Sequence, residues 1–181
     1  MKLILKFSTT FLRDKFIVVG ADGSSGHLYK ASWLGDNMDI DTGDKRYHCK
    51  RSQSFFNKTV VIRTQEGEET VKIYIDFPLF GISRRAKVVI KSGKVFDWRE
   101  RGLFNRQWEL IDKSRTVIRS NEANGLFSIN GEIQAAVDTE ESRLLGLIGL
   151  YLRNSFGVQN AVPFWLGISI FLLMGLRYFS N

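Results

Sequence analysis

The first 137 residues of this 181-residue chain show short stretches of alternating apolar and polar residues separated by turn signals, and no long stretch has the period of a helix. In the clearest stretch, residues 70–77, every second residue is apolar: Val71, Ile73, Ile75 and Phe77. About a dozen such segments at regular spacing favour a closed antiparallel barrel or a sandwich. The predicted fold class is therefore mainly β.

Turn residues between these segments predict several hairpins. Ser92-Gly93 suits a two-residue turn, and Asp112-Lys113-Ser114 separates two further strands. Asn130-Gly131 carries the strongest short hairpin signal in the chain. We expect it to join strands at residues 126–129 and 132–137.

A short helix is predicted near residues 139–153. Asp138 or Thr139 is suited to cap it, and acidic residues follow, as the positive end of a helix dipole favours. Residues 144–152 are apolar on every side but span only about 13 Å, far short of a bilayer core of about 30 Å. We therefore expect a core helix buried in protein, formed by Leu144, Leu145, Leu147, Ile148, Leu150 and Leu152.

A polar break is predicted at residues 153–159, followed by a second apolar segment at 161–179. Nineteen residues span about 28 Å as a helix, and Trp165 and Tyr178 lie where interfacial aromatics are expected. We expect a membrane anchor whose apolar residues include Trp165, Leu166, Ile168, Ile170, Phe171, Leu172 and Leu173. A second buried or interface helix is the alternative. The chain divides accordingly into a β-domain at 1–157 and a C-terminal helix at 158–181.

Positive charge is concentrated in one part of the chain. Residues 84–119 contain eleven basic and four acidic residues, an excess equal to the whole net charge of +7. Such a region indicates an anionic partner: phospholipid headgroups, nucleic acid or an acidic protein. Solvated strand faces are the alternative. Nucleic acid is not expected, because the neighbouring aromatics, such as Trp98 and Trp108, are more often core residues in a β-domain.

No catalytic, cofactor or metal site is predicted, and we do not expect an enzyme. Asp41-Thr42-Gly43 matches the aspartic protease tripeptide, but polar residues follow it and no second copy exists, so we expect a polar turn. The acidic residues near it fail the EF-hand pattern. His48 and Cys49 should point to opposite faces of a strand, which excludes a nucleophile–base pair.

Several local sequences resemble the tubby C-terminal-like fold, which is shared by tubby-like proteins, phospholipid scramblases and LURP-one-related proteins. They are residues 108–118 (WELIDKSRTVI) and 125–129 (GLFSI), followed by Asp138 and the apolar residues 144–152. The resemblance implies an antiparallel barrel of about 12 strands around a short hydrophobic helix. The apolar segment at 161–179 departs from that pattern.

The same resemblance implies a binding or membrane-associated module without enzymatic activity. Tubby-like members bind phosphoinositides through basic residues on the barrel surface, so the lipid-binding candidates here are Arg84, Arg85, Lys87, Lys91 and Lys94. A single cysteine and a short apolar N-terminus lead us to expect the barrel on the cytosolic side of a membrane. The alternative function is a soluble protein-interaction domain whose C-terminal helix docks on a partner or on its own barrel.

Overall fold

The computed structural model describes residues 3–9, 15–20, 23–30, 37–53, 58–76, 85–101, 107–124 and 129–159. This part of the chain forms twelve strands and one helix. In chain order they are β1 (Leu3–Thr9), β2 (Lys15–Gly20), β3 (Ser25–Lys30), β4 (Met38–Asp41), β5 (Arg46–Gln53), β6 (Lys58–Thr64), β7 (Glu69–Asp76), β8 (Arg85–Ile90), β9 (Val95–Arg101), β10 (Gln107–Asp112), β11 (Arg115–Asn124), β12 (Ile129–Ala135) and α1 (Glu140–Gln159).

The strands form a closed barrel in which each strand pairs antiparallel with its neighbours in sequence and β1 closes on β12. Alternation explains which side chains face inward. In β1 the buried residues are Leu3, Leu5, Phe7 and Thr9, and the residues between them are more exposed. The same period of two recurs in β2, β7 and β8. The prediction of a mainly β fold with an antiparallel barrel of about 12 strands is confirmed.

Helix α1 lies inside the barrel. Its six predicted core residues are at most 5% exposed and belong to the same cluster as the inward-facing strand residues. Gly146 lies close to Leu5 and Ile133, and Gly149 lies against the ring of Trp108. A helix apolar on all sides can be buried in this way because the barrel surrounds it with apolar side chains.

The barrel has two distinct ends. The turn end carries the turns after β2, β4, β6, β8 and β10, and α1 begins there, where Glu140 accepts hydrogen bonds from Thr42 and Tyr47. The exit end is the opposite one, where β1, β3, β5, β7, β9 and β11 finish. Helix α1 runs towards the exit end, and Arg153 there pairs with Glu122 of β11.

Two predicted hairpins are present, but only the second has a two-residue turn, because four residues separate β8 from β9. Ser92-Gly93 lies in the turn between β8 and β9, and Gly93 has a φ of 82°, which glycine adopts without strain. Lys113-Ser114 joins β10 to β11 with φ values of 46° and 89°. Both residues of this second turn are in the left-handed region without being glycine, which costs conformational energy.

The Asn130-Gly131 hairpin prediction is wrong. Both residues lie inside β12, which pairs with β1 on one side and β11 on the other. Glycine is required at position 131 for packing, because an added Cβ would lie 2.5 Å from the carbonyl oxygen of Asn121 and 2.5 Å from the Phe7 ring. Gly131 is therefore present because side-chain and backbone atoms of the neighbouring strands β1 and β11 lie against it, and not because it forms a turn.

The predicted polar break at 153–159 is also wrong, since α1 continues to Gln159. Arg153 and Asn154 are buried, and the Nε of Arg153 donates to both carboxylate oxygens of Glu122, at 3.0 and 3.2 Å. A polar residue with a partner in the barrel wall does not need to end a helix. The predicted boundary at 157/158 thus falls within α1.

The predicted membrane anchor at 161–179, including Trp165, Leu166, Ile168, Ile170, Phe171, Leu172 and Leu173, lies outside the described residues. Within the described ranges, no helix combines the length and the apolar character needed to cross a membrane.

Replacing Gly149 with alanine is expected to destabilise the fold by about 3 kcal/mol or more, because the new Cβ would lie 2.1–2.8 Å from three atoms of the buried Trp108 ring. Gly146→Ala is the matched control on the same helix. Its Cβ would meet Ile133 at 3.4 Å, and alanine is favoured over glycine in a helix by about 0.8–1.0 kcal/mol. Urea denaturation of both variants tests this, and equal effects would contradict the packing described here.

Candidate functional site

An open groove of about 760 Å³ lies on the outer face of β7, β8, β9 and β10. Strand register places its charged residues in a row across the sheet, with Asp76 opposite Arg85 and Arg85 opposite Arg99. A second row lies two residues further along each strand towards the turn end and contains Tyr74, Lys87 and Asp97. We call this surface the β7–β10 groove.

Arg85 and Arg99 face each other directly across β8 and β9. Like charges in that position destabilise a sheet. Arg99 is compensated by Glu109, at 2.6 Å, whereas Arg85 and Lys87 are exposed and make no ion pair with any described residue. The groove therefore presents two cations that the described structure leaves available to an anionic ligand.

The groove also has apolar and aromatic walls. Ile111 of β10 is buried at its floor, and Tyr74 of β7 remains 48% exposed. Ser114, in the strained β10–β11 turn, lines the same groove. Backbone strain of this kind recurs at ligand sites. The arrangement suits an anionic group that is attached to a larger, partly apolar molecule.

Glu109 is the one buried carboxylate of this wall among the described residues. It is 1% exposed, although its strand position faces outward. Its Oε1 accepts hydrogen bonds from the Nε of Arg99 at 2.6 Å and of Arg101 at 3.0 Å, and its Oε2 accepts one from Thr116 at 3.3 Å. Burial raises the pKa of Glu109, but these two arginines outweigh that effect and hold the pKa below its ordinary value.

The structure separates the five predicted lipid-binding residues. Arg85 and Lys87 line the β7–β10 groove. Lys91 and Lys94 lie at the turn end, where Lys91 pairs with Glu68 and Lys94 pairs with Glu141 at 2.9 Å. Arg84 lies outside the described residues. Charge that is contiguous in sequence is thus distributed between two parts of the barrel.

Asp41-Thr42-Gly43 forms part of the turn between β4 and β5. The carboxylate of Asp41 accepts from the backbone N–H of Gly43 and from Arg46, and the Thr42 hydroxyl donates to Glu140 at 2.7 Å. Burial, followed by the nearby charge of Glu140, raises the pKa of Tyr47. These groups fix the start of α1 to the turn end, which is a structural role.

His48 and Cys49 point to opposite sides of β5, as predicted. His48 faces outward and pairs with Asp39, whereas Cys49 is buried. Burial, followed by the charge of Asp39, raises the pKa of the Cys49 thiol well above its ordinary value, so the thiol is held in its unreactive form. In the described part of the chain, no three metal-ligating side chains form a group that suits a metal ion.

Two charged arrangements were missed by sequence reasoning: Glu109 with its two arginines, and Arg153 with Glu122. Glu109 alternates with Trp108 and Leu110 in β10, so alternation marks it as outward-facing, and only the β9–β10 register shows that it lies opposite Arg99. Arg153 and Glu122 are 31 residues apart, and local sequence carries no signal of that pairing.

Comparison of this chain with protein-family models, curated proteins and solved structures gave no match. The resemblance to the tubby C-terminal-like fold therefore remains a prediction from the sequence.

Replacing Glu109 with glutamine is expected to lower the free energy of unfolding by roughly 2 kcal/mol at pH 7, because two charge-assisted hydrogen bonds are weakened. A carboxyl whose pKa is lowered by folding stabilises the protein above its unfolded pKa, and this contribution disappears as pH falls through the folded pKa. The difference between the two proteins should therefore shrink below about pH 4.5. Urea denaturation from pH 7 to pH 3 measures it, and a pH-independent difference would contradict the ion-pair account.

Proposed function

We propose that this protein is a non-enzymatic, membrane-associated module that binds anionic phospholipid through the β7–β10 groove. The observation that carries the proposal is the pair of exposed cations, Arg85 and Lys87, which have no ion pair among the described residues and lie beside Arg99. Arg85 directly opposes Arg99, a like-charge pair that a bound anion would stabilise. Asp76 and Asp97 in the same groove offset only part of this positive charge.

The chemistry of the groove fits a phosphate ester attached to an apolar body. Guanidinium groups bind phosphate oxygens through paired hydrogen bonds, and an ammonium group adds charge without strict geometry. Each basic residue near an anionic leaflet contributes about 1 kcal/mol of attraction. Tyr74 and Ile111 provide amphipathic and apolar surface for the part of the lipid next to its headgroup.

The distribution of apolar sequence supports the same orientation. Arg85 begins β8 and Arg101 ends β9, so both lie at the exit end. Several segments of the sequence connect a strand that finishes at the exit end to the next strand, which begins there, and the structure of these segments is not described. They contain seven of the fourteen phenylalanines: Phe11, Phe55, Phe56, Phe77, Phe80, Phe104 and Phe127. The sequences of the turns after β4, β6, β8 and β10 contain no aromatic residue. A basic rim beside apolar sequence is typical of membrane-facing surfaces.

Two further observations support membrane association. The apolar residues 161–179 follow α1, whose later turns run to the exit end, and in our proposal they anchor the protein with the barrel on the cytosolic side. The twelve-stranded barrel with its one described helix is also compatible with the architecture that the tubby-like resemblance implies.

A protein-interaction domain is the second candidate function. On the barrel wall opposite the β7–β10 groove, Ile17 and Val19 of β2 are exposed apolar residues. They line a shallow depression of about 640 Å³ together with residues of β1, β11 and β12. A docked helix, from a partner or from residues 161–179, would cover such a surface.

The double variant Arg85→Ala/Lys87→Ala is expected to weaken binding of the full-length chain to phosphatidylcholine vesicles containing phosphatidylserine by about tenfold or more, because it removes two available cations. Lys91→Ala/Lys94→Ala is the matched control: it removes the same charge from ion-paired sites at the turn end. Vesicle flotation measures both. Equal losses would indicate a diffuse charge effect and contradict a site in the groove.

Deleting residues 163–181 separates the two candidate functions. For a membrane module, the remainder should fold with an unchanged far-ultraviolet circular dichroism spectrum and be lost from the membrane fraction of the expressing cell. If the segment instead docks on the barrel, its loss should lower the melting temperature. Retention in the membrane fraction after deletion would contradict the anchor.

A further inference from the structure

We infer that Glu109 is a positioning residue of the β7–β10 groove: its buried carboxylate holds the guanidinium groups of Arg99 and Arg101 side by side, so that their outer N–H groups form a preorganised site for a phosphate group. This inference rests on the proposed function and adds to it a residue that does not itself touch the ligand.

The geometry of the hydrogen bonds is the first argument. Both arginines donate to the same oxygen, Oε1 of Glu109, and both do so through Nε, at 2.6 and 3.0 Å. A guanidinium has five N–H donors, and a bond through Nε uses only one of them. The terminal Nη groups of Arg99 and Arg101 make no hydrogen bond to any described residue and are available to a second anion.

Exposure is the second argument. Glu109 is 1% exposed, so no ligand reaches its carboxylate, whereas the side chains of Arg99 and Arg101 are 47% and 55% exposed. The carboxylate lies beneath the two guanidinium groups, and Thr116 donates to its other oxygen. The surface above Glu109 therefore carries the two guanidinium groups, although a negative charge lies directly under them and Asp76 and Asp97 line the adjoining groove.

Preorganisation is the third argument. A long arginine side chain loses rotamer freedom when it binds a ligand, and that loss reduces affinity. Here the loss has already occurred in the free protein, because Glu109 fixes both side chains. Arg85 lies directly opposite Arg99, with Asp76 on its other side and no ion pair to any described residue, so it can supply a third cation to the same anion.

Two explanations of the groove predict opposite effects of Glu109→Gln. If only the summed charge matters, the variant gains one positive charge and should bind anionic vesicles about fivefold more tightly. If Glu109 positions the guanidinium groups, the variant should bind several-fold more weakly despite that gain. The sign of the change therefore distinguishes the two.

The experiment measures flotation of the full-length chain with phosphatidylcholine vesicles containing phosphatidylserine, compared with vesicles of phosphatidylcholine alone. Glu69→Gln is the matched control, since it makes the same change in charge at a partly exposed carboxylate that pairs with Lys72 and Arg63 outside the groove. We expect this control to bind as tightly as the unmodified protein or more tightly, and Glu109→Gln to bind at least threefold more weakly.

Arg99→Lys provides a second test that leaves the buried carboxylate of Glu109 in place and keeps the charge beside it. Lysine keeps the charge, but its single ammonium group lacks a separate Nε donor, so it cannot hold Glu109 and present a paired N–H edge at the same time. We expect binding to weaken at least threefold. The circular dichroism spectrum of Glu109→Gln shows whether that variant folds. If it does not fold, Arg99→Lys alone tests the positioning role of Glu109.

Equal or tighter binding by Glu109→Gln, or unchanged binding by Arg99→Lys, would overturn the inference. Failure of the proposed function looks different: the unmodified protein would then bind phosphatidylserine-containing vesicles no better than phosphatidylcholine vesicles.

Discussion

The burial of helix α1 inside the barrel is the constraint on which the rest of the structure depends. Twelve short strands close into a wall whose inward side chains require apolar material to fill the interior, and α1 supplies it on all sides. The Trp108 ring lies against Gly149 at a distance that leaves no room for a side chain. Wall and helix therefore stabilise each other, because neither has another way to bury its apolar surface.

Polar contacts fix the helix along its axis. At the turn end, Thr42 and Tyr47 hold Glu140 at the start of α1, and towards the exit end Arg153 reaches Glu122. Because apolar side chains fill the interior of the barrel, the candidate binding groove lies on its outer wall. There the β7–β10 groove presents more cations than carboxylates, and next to it the buried carboxylate of Glu109 holds Arg99 of the groove together with Arg101. The core fixes the strand register, and the register sets these charges opposite one another.

Much of the fold follows from alternation, which requires only that one face of each strand be buried. The strand predicted at 70–77, present as β7, follows from alternation, whereas the turn containing Ser92-Gly93 follows from its turn residues and the burial of residues 144–152 from their being apolar on every side. The position of Asn130-Gly131 inside β12 was not predictable from local sequence, because the glycine is needed to accommodate the Phe7 ring on a neighbouring strand. The same holds for the groove: sequence indicates a basic region, but only strand pairing assigns Arg85 to the groove and Lys94 to an ion pair at the turn end.

We propose that the β7–β10 wall faces anionic membrane, and a local probe tests this proposal most directly. The only cysteine in the sequence, Cys49, is buried, so a single introduced cysteine can be labelled with a polarity-sensitive dye. Placed at Tyr74 in the groove, the dye should shift to shorter wavelength when vesicles containing phosphatidylserine are added. At Ile17, on the opposite wall, the emission should not change. Equal shifts at both positions, or a shift at Ile17 alone, would contradict the account.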